Sequence, residues 1–124
     1  FEPGDHASTF GGNPLASAAG CAALDVITSE GFLDHVTAMG KYASEKLQTI
    51  ASKYSAVKEI RGKGLIIGCE IEQDVSSIVI KAIENGILLN VALGNIVRLL
   101  PPLIVEKEMI DTFLEFLESS LKEL

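Results

Sequence analysis

Between residues 33 and 53 the positions Val36, Gly40, Ala43, Leu47 and Ile50, with Tyr54 just beyond, recur every three or four residues, while Lys41, Glu45, Lys46 and Gln48 fall between them. That spacing predicts an amphipathic helix packed through one stripe. From Leu65 to Glu72 the period drops to two, with Leu65, Ile67, Cys69 and Ile71 on one side, which predicts a strand. Val57 to Arg61 reads as a shorter strand, and Arg61-Gly62-Lys63-Gly64 as the turn that makes the pair antiparallel.

Ahead of these, residues 1 to 12 carry Gly, Pro and polar side chains without a period and read as an irregular lead-in. Asn13 is a good N-cap and Pro14 a good first helical residue, so a helix is expected from there, with Leu15, Ala18, Ala19, Ala22 and Val26 as its packing stripe and Ser29-Glu30-Gly31 as its stop. Beyond the strand pair, Asp74 is placed to cap a third helix through Val75, Ile78, Val79, Ala82 and Ile83, and Gly86 to end it in the left-handed region. Residues 87 to 93 and 95 to 100 read as two more strands joined at Gly94-Asn95, ended by Pro101-Pro102. A closing helix from about 106 to 124 buries Met109, Ile110, Phe113, Phe116, Leu117 and Leu121. Helix, helix, two strands, helix, two strands, helix predicts an α+β fold, a small antiparallel sheet covered by helices.

Composition narrows the function classes. The 124 residues suit one ordinary domain, and no apolar run approaches the ~18 residues of a membrane span. Net charge is −7, and eight Lys with Arg61 and Arg98 are spread without a cluster, which argues against nucleic acid and acidic membranes as partners. Nothing marks the chain for export, so the cytoplasm is the expected compartment. Cys21 and Cys69 lack metal-ligand spacing and are expected to be reduced and buried as small hydrophobes.

His6 and His35 have no partners at ligand spacing, and His35 is expected to be solvated. Two stretches remain. Ser8-Thr9-Phe10-Gly11-Gly12-Asn13-Pro14 delivers hydroxyls and backbone N–H groups to a helix N-terminus, either a seat for an anion or phosphate or merely a glycine-shaped turn. Arg98 is the one charge in Asn95-Ile96-Val97-Arg98-Leu99-Leu100, with Ile96 and Leu100 on its face. A buried arginine needs a partner, and its planar fork suits a carboxylate; on an edge strand it would instead reach water or a structural acid.

Gly4-Asp5-His6-Ala7-Ser8-Thr9-Phe10-Gly11-Gly12-Asn13-Pro14-Leu15 resembles the segment that follows the catalytic lysine in class III pyridoxal-phosphate-dependent aminotransferases. Asn95 to Leu103 is similar to that family's C-terminal arginine strand, and Arg61 to Gly68 to the stretch between them. The resemblance covers the whole chain. It implies the C-terminal part of a fold-type I subunit, with residues 1–30 as lead-in and linking helix from the large cofactor domain and 31–124 as the small domain. The Schiff-base lysine is implied upstream, so the chain alone is expected to be inactive; Lys63 does not match that lysine's motif. By position, Thr9 is implied to reach the pyridoxal 5'-phosphate of the other subunit in a homodimer, Ser8 to touch substrate, and Arg98 to receive the α-carboxylate of glutamate. Ala7 stands where the family commonly has glycine. The implied reaction moves an amino group from N-acetylornithine, or a related ω-amino donor, to 2-oxoglutarate, in arginine biosynthesis. A stand-alone α+β anion-binding or interaction module is the alternative from another class.

Overall fold

A computed structural model describes residues 2–6 and 8–124, so the substitution at Ala7 lies outside the described residues. The chain divides into two compact units, Phe1–Leu33 and Asp34–Leu124.

The first unit carries helix α1, Pro14–Ile27. It begins where the sequence predicts: the Asn13 side chain accepts a hydrogen bond from the Ala16 N–H at 2.9 Å, and Pro14 occupies the first turn, where its missing donor costs nothing. Thr28 ends it by donating its N–H to the Leu24 carbonyl. The expected packing stripe is not buried. No residue of α1 is buried, Leu15 being 82% exposed, and Cys21 is exposed rather than a core thiol. Periodicity fixes which side chains share a face of a helix, whereas burial also requires a surface to pack on.

The second unit holds α2 (Phe32–Ala51, which starts at the unit boundary), β1 (Val57–Lys63), β2 (Ile66–Ile71), α3 (Ile78–Glu84), β3 (Asn90–Ala92), β4 (Ile96–Leu99) and α4 (Lys107–Leu121). The four strands form one antiparallel sheet in the order β1-β2-β4-β3, the expected α+β arrangement. One face is covered: Ile67, Cys69, Ile71, Val97 and Leu99 join Ala43, Leu47 and Ile50 of α2 and Ile110, Phe113, Leu114 and Leu117 of α4 in a single core. Burial pushes the Cys69 thiol up to about 11. The other face presents Glu59, Arg61, Ile66, Gly68, Glu70, Asn90, Ile96 and Arg98.

Helix α2 is held closely on the β1–β2 hairpin. A Cβ added to Gly40 would lie 2.6 Å from the Gly64 carbonyl oxygen, so only glycine allows this approach. Polar ties join α2 to α4: the Tyr42 hydroxyl donates to Asp111 at 2.7 Å, and Lys53 and Tyr54 both reach Glu118. His35 is not solvated as expected. Its Nε2 lies 3.0 Å from the Val105 carbonyl, a partner 70 residues away in sequence.

Several local expectations shift. β1 continues through Lys63, so the hairpin turns at Gly64-Leu65. Asp74 accepts from the Ser76 N–H in a turn before α3 and does not cap it; the N-cap is Ser77. Gly86 follows α3 with φ +74°, as predicted. The β3–β4 hairpin turns one residue early, with Leu93 (φ +53°) and Gly94 (φ +81°) as its central residues and the Asn95 N–H donating to Ala92. In α4, Leu114 is buried, Phe116 half-buried and Met109 exposed, because the covered stripe lies one residue round the helix from the expected one.

Candidate functional site

In the first unit, Ser8 and Thr9 sit in a loop that the sequence ties down before α1. The Gly11 N–H donates to Ser8 Oγ at 2.8 Å, and the Asn13 N–H and side-chain amide both donate to the Phe10 carbonyl. These bonds fold residues 8–13 into a compact turn, so the glycines do shape the loop. Ser8 spends an acceptor lone pair on that turn and keeps its O–H to donate. Thr9 is exposed, and among the described residues neither its hydroxyl nor its N–H makes a hydrogen bond. A free hydroxyl and a free backbone donor on one residue suit a phosphate, so the loop fits the phosphate end of pyridoxal phosphate.

The second unit carries Arg98 on β4. The expectation of a charge buried among apolar residues needs correction: Arg98 is exposed, so no desolvation cost obliges it to find an internal acid. Nor is it on an edge. β4 lies between β2 and β3, and Arg98 pairs in register with Gly68 on one side and Asn90 on the other. Among the described residues it forms no ion pair.

Arg61, on the same face, shows the contrast. Its Nη1 lies 2.6 Å from Glu70 and 2.5 Å from Glu59, two carboxylates that hold its pKa above the ordinary arginine value and offset its charge. Arg98 instead borders a groove of about 360 Å³ whose other walls include Ile83, Leu88, Leu89 and Leu100. A free guanidinium at the rim of an apolar groove can hold a carboxylate bidentately while the groove takes the hydrocarbon. Sequence reasoning singled out Arg98 and gave no place to Asn90, its cross-strand neighbour, which carries no motif of its own.

Lys63 is exposed on β1. Among the described residues no group of three His, Cys, Asp or Glu could hold a metal ion, and no helix is long and apolar enough to cross a membrane.

The aminotransferase class-III family model matches residues 1–121. Acetylornithine aminotransferase of Caldanaerobacter subterraneus subsp. tengcongensis is 54% identical over all of this chain and 32% of its own length; that of Methanocaldococcus jannaschii is 46% identical over 98% of the chain and 30% of its own. Among solved structures, acetylornithine aminotransferase from Elizabethkingia anophelis superposes with a TM-score of 0.80 at 34% identity, over 100% of this chain and 34% of that one. Ornithine delta-aminotransferase of Plasmodium falciparum gives 0.85 at 34% identity, over 99% and 33%. The chain thus spans about a third of the length of each of these relatives. With the match running through both the Thr9 loop and the Arg98 strand, the chain belongs to the class III aminotransferases.

Proposed function

We propose that this chain forms the C-terminal part of a pyridoxal-phosphate-dependent subunit that transfers an amino group from N-acetylornithine to 2-oxoglutarate, a step of arginine biosynthesis. The observation that carries the reading is Arg98: a cation without an acidic partner among the described residues, on an interior strand, lining an apolar groove. The names of the relatives favour N-acetylornithine as donor, with ornithine second.

In this reading residues 1–30 link to a larger cofactor domain and 31–124 form the small domain. Arg98 receives the α-carboxylate of glutamate or 2-oxoglutarate through two parallel N–H···O bonds and so fixes the substrate's rotation. Thr9 donates its hydroxyl and N–H to the phosphate of the cofactor held by the other subunit of a homodimer, and the Ser8 O–H donates to substrate. Bound pyridoxal phosphate supplies the electron sink for amino transfer; this chain supplies orientation and charge.

The test is a Thr9→Ala variant of the full-length protein, which should retain its cofactor less tightly by about 1.5–3 kcal/mol, the scale of a hydrogen bond to a charged group. A donor panel run alongside should place N-acetylornithine first. Unchanged cofactor affinity would remove the phosphate role from Thr9, and no transamination with any ω-amino donor would sink the reading as a whole.

A further inference from the structure

We propose that Asn90 is a second recognition residue for the carboxylate that Arg98 holds, and so a specificity-determining residue of the acceptor site; this rests on the reading of Arg98 given above. The open face of the sheet carries one row across four strands, Arg61, Gly68, Arg98 and Asn90, each in register with the next. Arg61 is occupied by Glu59 and Glu70. Gly68 has no side chain, so β2 sends nothing over Arg98. The side of Arg98 toward β3 is therefore where a polar neighbour stands.

That neighbour is Asn90. Side chains directly opposite on antiparallel strands have Cβ atoms ~4.5–5.5 Å apart, within reach of one shared carboxylate. Arg98 and Asn90 together line a groove of about 360 Å³ whose remaining walls are Ile83, Leu88, Leu89 and Leu100, so they are its only polar side chains. Among the described residues the Asn90 amide makes no hydrogen bond, which leaves both of its donors available.

A carboxylate offers roughly four lone-pair sites, and the arginine fork uses two. The Asn90 NH2 donates to one of those remaining. An acid in its place would pair with Arg98 and compete with substrate, whereas an aliphatic residue would offer nothing.

Asn90→Leu and Asn90→Asp, made in the full-length holoenzyme and measured with 2-oxoglutarate as varied substrate, separate the possibilities. Asn90→Leu is expected to raise KM about tenfold with kcat within about twofold, the lower end of the scale for one hydrogen bond to a charged group. Asn90→Asp, which keeps the side chain's shape and so guards against misfolding, is expected to raise it further. If Arg98→Lys raises KM while both Asn90 variants leave it within about twofold, Asn90 has no recognition role and the reading of Arg98 stands. If Arg98→Lys also leaves KM unchanged, the proposal for Asn90 falls with the reading beneath it.

Discussion

Alanine at position 40 sets two well-measured effects against each other. Gly40 lies inside α2, where replacing glycine by alanine ordinarily stabilises a helix by about 1 kcal/mol. The new methyl, however, would stand 2.6 Å from the Gly64 carbonyl oxygen and 2.7 Å from its carbonyl carbon. Both atoms are backbone, and Gly64 is held at φ +56°, so no rotamer change relieves the contact. The helix must lift from the hairpin, loosening Ala43 and Leu47 in the core. Overpacking of this kind costs about 1–3 kcal/mol, so the upper part of that range outweighs the propensity gain and leaves a net loss of about 1–2 kcal/mol. Urea denaturation reads this as a lower midpoint at unchanged slope. A midpoint equal to or above that of the parent protein would refute the close contact and return the decision to helix propensity.

Thiol labelling at pH 8 should modify the exposed Cys21 first and reach Cys69 only as fast as the fold opens, since burial pushes Cys69 up to about 11; equal rates would contradict its place in the core. Leu93 is 91% exposed and carries φ +53°, a conformation costing about 1–2 kcal/mol in most L-residues but tolerated by Asn, so Leu93→Asn should raise the melting temperature by a few degrees. The Glu118 carboxylate is held below its ordinary range, chiefly by the hydrogen bond from Lys53, against an opposing effect of burial. Its contribution to stability is therefore present above the ordinary glutamate value and lost as pH falls through the lower folded value; Lys53→Met should flatten that acid limb of a stability-pH curve.

The sequence discloses contacts that a single element decides. The alternation of Leu65, Ile67, Cys69 and Ile71 places all four in the core, and the stripe from Gly40 to Ile50 is buried as its spacing predicts. What it hides depends on a second element. The α1 pattern defines a face without saying what covers it, and Cys21 is exposed. His35 finds Val105 only after the chain returns from the sheet. Leu93 gives no warning of a left-handed turn, because the usual signal is Asn or Asp before the glycine. At the candidate site, Thr9 and Arg98 are visible from residue chemistry. The interior position of β4 and the facing Asn90 follow from strand order, which no local pattern encodes.

Arg98→Lys in the full-length protein puts the carboxylate assignment to its hardest test. Single turnovers are followed with glutamate and, separately, with the amino donor. Lysine keeps the charge but loses the planar fork, so the glutamate half-reaction should slow by about tenfold or more while the donor half-reaction stays within about twofold. Equal loss in both halves, or loss in neither, would contradict Arg98 as the residue that receives the acceptor's carboxylate.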